Sequence, residues 1–174
     1  MTNGTKVKKR NGTLESLNLD KIHKMTEEAC ESLAGVSASQ VEINSGIQFY
    51  DGITTQEIQE ILIKSASDLI DLDHPNYQFV AARLLLFALR KQLFGRYHEH
   101  PTLLKHTKKG VNKGIYDAEI LDLYTEEEFE KLQSYIDHDR DMLFTYAGLR
   151  QVVDKYLVQD RSTGELYELS LIHI

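Results

Sequence analysis

The chain has 174 residues, 41% of them hydrophobic and 27% charged, and a formal net charge of −7. A chain of that length buries roughly two-thirds of its unfolded surface, so it needs no covalent staples and reads as one domain or two small ones. The single cysteine, Cys30, excludes internal disulfides and multi-cysteine zinc sites. The acidic balance argues against general adhesion to nucleic acid or membranes, and no apolar run reaches the ~20 residues of a membrane span. A soluble, cytoplasmic protein is expected.

In chain order, residues 6–17 read as a β-hairpin, because Asn11-Gly12 between two alternating runs suits a type I′ turn. Asn18 then N-caps a helix to about Leu33, with Ile22, Met25, Ala29 and Leu33 on one stripe. Ser37 to Gln40 and Thr54 to Glu57 have capping-box spacing. They open a second helix through Val41 and Ile47, and a third carrying Ile58, Ile61, Leu62, Ser65 and Leu69. His74-Pro75 opens a fourth, with Phe79, Ala82, Leu86, Leu89 and Leu93 on one side and Arg83, Arg90 and Lys91 off it. Phe94-Gly95 followed by Pro101 ends it and marks a boundary. Beyond it, residues 101–111, 117–123, 125–136 and 142–157 carry helical patterns, and 156–161 and 165–167 form two extended runs around Ser162-Thr163-Gly164. The fold class is therefore mainly α: a four-helix unit with a small β cap over 5–95, then a helical segment over 96–174. The apolar end, Leu169 to Ile174, suggests a truncated chain.

Charge is unevenly placed. From Lys6 to Lys24 six basic residues (Lys6, Lys8, Lys9, Arg10, Lys21, Lys24) oppose only Glu15 and Asp20, while from Asp117 to Asp141 ten acidic residues oppose Lys131 and Arg140. The acidic run reads first as a solvated helical face. Its Asp137-His138-Asp139-Arg140-Asp141 start imitates a calcium loop, but Met142 and Gly148 stand where glycine and glutamate are required. His98, His100 and His106 lack a fourth ligand at zinc spacing and read as solvated linker. Cys30 sits among glutamates that raise a thiol pKa and is expected to be inert. Nucleophile elbow, Walker loop and dinucleotide glycine fingerprint are absent.

One constellation remains: Lys8, Lys9 and Arg10 on the hairpin, the helix starts at Asn18 to Lys21 and Thr54 to Thr55, and Lys91. Unpaired N–H groups at helix N-termini together with cationic side chains favour a polyphosphate. The same residues also fit ordinary exposed cations and caps.

Val7 to Gly12, Leu19 to Ile22, Ile47 to Thr55 and Tyr77 to Leu84, in this order and spacing, resemble the ATP-cone, a regulatory nucleotide-binding module. Tyr124 to Phe129, Ile136 to Asp141 and Lys155 to Leu157 resemble the helical segment that follows the cone in the large subunit of class Ia ribonucleoside-diphosphate reductase. The resemblance implies an overall-activity site where ATP, with magnesium, activates and dATP inhibits by changing how large and small (β) subunits assemble. It places the nucleotide at Lys9, Glu15, Ser16, Leu17, Asn18, Leu19, Asp20, Lys21, Thr55 and Lys91, with Arg10 and Ile22 beside it. The pattern departs at Gln59 and Ala88, where the family carries histidine. Catalysis in that family uses cysteines of a downstream barrel, so a chain holding only Cys30 has no catalytic residue of its own and reduces nothing alone. Two other readings use the same residues: a helical interaction module with a degenerate cone, and a cone-bearing transcriptional repressor, which needs a four-cysteine zinc ribbon.

Overall fold

The computed structural model describes residues 4–46, 48–98 and 100–169. Ile47, Glu99 in the connecting segment and residues 170–174 of the apolar end lie outside the described residues. The chain is mainly α, with two small sheets, and divides into two compact units: residues up to Ala88 with Phe144–Leu149, and Leu89–Leu143 with the residues from Arg150 on.

The first unit begins with strands β1 (Lys6–Lys8) and β2 (Leu14–Ser16), antiparallel with Val7 opposite Glu15. The hairpin turn differs from the expected type I′. Only Gly12 takes a positive φ, +83°, and its N–H donates to the Lys9 carbonyl at 2.9 Å. Asn11 escapes the strained region because its carboxamide oxygen accepts from the Thr13 N–H and hydroxyl, at 3.1 and 2.7 Å, an Asx turn that closes the loop locally. Helix α1 (Leu19–Cys30) starts as expected: Asn18 accepts from the Lys21 N–H at 3.0 Å. It ends three residues short of Leu33, where Arg83 donates to the Ala29 and Glu31 carbonyls at 3.2 and 2.7 Å and satisfies the end of the helix.

Helix α2 (Ala38–Gly46) lacks the expected Ser37–Gln40 capping box. The Tyr77 hydroxyl takes both partners, accepting from the Ser37 N–H at 3.0 Å and donating to Gln40 Oε1 at 2.5 Å. Strand β3 (Ile53–Thr54) pairs parallel to β1, with Val7 opposite Ile53 and Lys8 opposite Thr54. It runs straight into α3 (Thr55–Asp68), whose capping box is complete: the Glu57 N–H donates to the Thr54 hydroxyl at 3.1 Å and the Glu57 carboxylate accepts from the Thr54 N–H at 2.8 Å. Helix α4 (Tyr77–Phe94) runs through the division between the units and is buried far beyond one stripe, from Val80 to Phe87 and at Leu89 and Arg90. Arg83 and Arg90, placed off the apolar side by the sequence pattern, are themselves buried, at 9% and 6% exposure.

The second unit continues with α5 (Leu103–Asn112), α6 (Glu119–Leu123) and α7 (Glu126–Gln133), the last opened by the expected Thr125–Glu128 capping box. The helix expected from Met142 starts at Tyr146, as α8 (Tyr146–Lys155), and His138–Leu143 forms a 3₁₀ turn instead. Arg90 explains the tighter winding: it binds the buried Asp141 carboxylate at 2.9 Å and fixes that residue inward. Strands β4 (Gln159–Asp160) and β5 (Glu165–Leu166) form a small antiparallel hairpin. His106 is buried at 6% exposure, edge-on to Phe94 and Tyr116, so it is no part of a solvated linker; His100 is half-buried and stacked on His138 at 4.0 Å.

Candidate functional site

The first unit assembles its candidate residues around the three-stranded sheet β2-β1-β3. Because β1 and β3 are parallel and in register at Lys8 and Thr54, the start of α3 lies beside the Lys8-Lys9-Arg10 end of the hairpin. β2 returns antiparallel and delivers the chain, through Leu17, to the start of α1 at the other end of the strands. Strands of three residues span about 10 Å, so the sheet between the two helix starts is short.

Val7, Glu15 and Ile53 are register partners and share one face of the sheet, where Val7 and Ile53 are buried. On that face Lys9 reaches Glu15, Nζ to Oε2, at 2.9 Å. The ammonium of Lys9, with Lys21 behind it, holds the Glu15 carboxyl below the usual carboxylate range. Lys9, Glu15 and Lys21 are thus one electrostatic group, built from strand β2, the loop before it and the first turn of α1. Around it Ser16, Asn18, Leu19 and Asp20 are exposed and Leu17 is half-buried, whereas Ile22 is a core residue at 8% exposure. Arg10 is exposed at the hairpin tip.

Thr55 is half-buried at the first position of α3. Two residues on, the Glu57 carboxylate accepts from the Thr54 N–H and hydroxyl and from the Tyr50 hydroxyl at 2.7–2.8 Å, and these donors lower its pKa. One helical turn on from Thr55 stands Gln59, 5% exposed, whose Nε2 has no hydrogen-bond partner in the structure. A buried donor left open costs about 1–3 kcal/mol unless something meets it. Helical spacing reveals that Gln59 shares a face with Thr55; only the packing reveals that its amide is orphaned. Lys91 lies in the last turn of α4, within the second unit, and is half-buried.

Cys30 is half-buried, and burial, more than its acidic neighbours, pushes its thiol up to about 11, so it is unreactive. Among the described residues no group of three or more His, Cys, Asp or Glu is placed to hold a metal, and no helix is long and apolar enough to cross a membrane.

The chain is 54% identical over 162 residues to the ribonucleoside-diphosphate reductase 1 subunit alpha of Escherichia coli, covering 93% of this chain and 21% of that protein. The subunit alpha of Haemophilus influenzae is 51% identical over 97% of the chain and 22% of its own length, and that of enterobacteria phage T4 is 44% identical over 92% and 21%. The chain therefore spans about a fifth of the length of these curated relatives. Residues 5–92, half of the chain, match the family model of the ATP cone domain. On that match, which takes in the sheet, both capped helix starts and Lys91, the chain belongs to the ATP cone domain family.

Proposed function

We propose that the chain is the allosteric overall-activity module of a ribonucleoside-diphosphate reductase large subunit, binding ATP as activator and dATP as inhibitor, with the regulatory cone over 5–95 and the subunit's first helical segment over 96–174. The observation that carries this reading is the solvent-accessible Lys9–Glu15–Lys21 group beside a small sheet whose strands lead into two capped helix N-termini. Helix N-termini and ammonium groups suit phosphate oxygens, and the orphaned Gln59 amide offers a donor to a bound ligand. In the unliganded chain Glu15 neutralises Lys9, so a triphosphate competes with one carboxylate for that ammonium. Thr55 donates at the start of α3, Glu15 to Lys21 line the nucleotide with Glu15 to Asn18 toward the adenine edge and Ile22 beside it, and Lys9, Arg10 and Lys91 suit the phosphates. Magnesium accompanying the triphosphate would supply charge neutralisation there beside the cations of Lys9, Arg10 and Lys91.

In this reading the parent protein is a cytoplasmic oxidoreductase that makes deoxyribonucleoside diphosphates for DNA synthesis, and its partners are a small β subunit and further large subunits. ATP and dATP differ by one hydroxyl, too little for a large direct contact effect, so a coupling of a few kcal/mol through assembly amplifies it. Calorimetry on this chain tests the reading. Binding of ATP and dATP in the micromolar range is expected (~ −8 kcal/mol), with weaker binding of nucleotides of other bases. Lys9→Ala and Lys91→Ala should each weaken it by ~1.5–3 kcal/mol. No heat with either nucleotide overturns the reading in favour of a helical interaction module.

A further inference from the structure

His23 stands immediately after the stretch assigned to the nucleotide, and both of its ring nitrogens face carboxylate oxygens. Nδ1 lies 2.9 Å from Glu42 Oε1 on α2, and Nε2 lies 3.1 Å from Glu27 Oε1 one turn further along α1. A neutral imidazole has one N–H and can satisfy only one of these; the other nitrogen then turns a lone pair toward a carboxylate. Only the imidazolium fits both. The same Glu42 oxygen also accepts from the hydroxyl of Thr26, a fully buried residue of α1, so His23 and Thr26 together tie α1 to α2 through one carboxylate.

We propose that His23 is a positioning residue of the nucleotide site: clamped between Glu27 and Glu42, it fixes the first turns of α1 against α2, so that nucleotide affinity falls as the clamp loses its proton. The inference rests on the nucleotide-binding reading above and adds a regulation of that same site. The charged groups facing the imidazole are Glu42 from α2 and Glu27 and Asp20 from α1 itself. Hydrogen bonding and attraction from Glu42, with Glu27 and Asp20 behind, raise the pKa of His23 above its ordinary value. A raised histidine pKa means that the clamp is complete below the unfolded-state value near 6.5 and is lost as pH rises through the folded value.

The test is ATP affinity by calorimetry on the full chain from pH 6 to pH 8.5, for the parent sequence, for His23→Gln and for Glu42→Gln, which keeps an acceptor for Thr26. The titration of the γ-phosphate is common to all three proteins and cancels in the affinity ratios. The parent-to-variant ratio should be about tenfold at pH 6 and approach one at pH 8.5. NMR on the same samples should show the amides of Asn18 to Ile22 shifting with the midpoint of the His23 ring. A ratio that stays constant across pH, or amides that ignore the ring, overturns the proposal and leaves nucleotide binding intact. Absence of ATP binding at every pH overturns the nucleotide reading and the proposal with it.

Discussion

The two units hold themselves together by different physics. The first buries a dense apolar set, with Ala29, Val41, Ile53, Leu62, Ala66, Val80 and Ala81 fully covered and Tyr77, Leu86 and Phe87 nearly so. In the second the buried apolar residues are fewer, chiefly Leu89, Phe129, Leu157 and Leu166, while Arg90, Asp141, His106, Thr107 and Glu168 are equally buried. Both units expose large apolar side chains, Leu72 and Ile43 at 100% and 66% in the first and Tyr135 and Tyr156 at 72% and 69% in the second. Apolar burial tolerates small shifts, whereas a buried ion pair demands its partner, because an unpaired charge in a dry interior cannot be resolvated. The first unit's stability thus rests mainly on its larger apolar core, and the second unit sets a buried ion pair beside a smaller one.

The sharpest way to break this contrast is to remove one residue from each unit. Asp141→Ala leaves the 6%-exposed Arg90 uncompensated and should cost ~3–5 kcal/mol, read as a fall in the denaturation midpoint of probes in the second unit. Leu62→Ala, at a position with no exposed surface, should cost ~2–5 kcal/mol in the first. Replacing the ion pair as a whole, with Arg90→Met and Asp141→Leu, should recover most of the loss, whereas no second substitution beside Leu62 is expected to refill its cavity as completely. If Asp141→Ala is as mild as a surface change, the second unit does not depend on its buried charges.

Matched capping boxes provide a smaller comparison. Thr54→Ala and Thr125→Ala delete the same hydrogen bonds at the starts of α3 and α7 and should each cost ~1 kcal/mol in thermal or chemical unfolding. Only Thr54→Ala should also weaken nucleotide binding, since only that helix start belongs to the proposed site.

A last comparison separates the units by pH. His23 in the first unit has a raised pKa, so its contribution is present below about 6.5 and lost as pH rises through its folded value. His100 in the second is lowered to about 4, by burial first and then by Arg90 and His138. Its contribution has the opposite sign: present above about 6.5 and lost as pH falls toward the folded value. Moving from pH 7.5 to pH 5 should therefore favour the first unit and disfavour the second, spreading their unfolding transitions apart. Coincident transitions at both pH values would contradict that assignment of signs.

What the chain carries in its local pattern is what short-range chemistry can decide. Asn18 three residues before Lys21, Thr54 three before Glu57 and Thr125 three before Glu128 each place an acceptor within reach of an orphan N–H, and all three caps form where the spacing puts them. Ile22, Met25 and Ala29 likewise become core because period alone sets the buried face. Partner choice over long separations was not legible. Arg83 finds the end of α1 more than fifty residues back, Arg90 finds Asp141 51 residues on, and Tyr77 displaces a capping box that Ser37 and Gln40 could have made themselves. The candidate site divides in the same way: its helix starts and cations stand in the sequence, whereas the orphaned Gln59 amide and the two carboxylates around His23 do not. Spacing determines which atoms are neighbours along a helix or a turn, but which buried donor is left unmet depends on every element packed around it, and that is settled only when the tertiary structure closes.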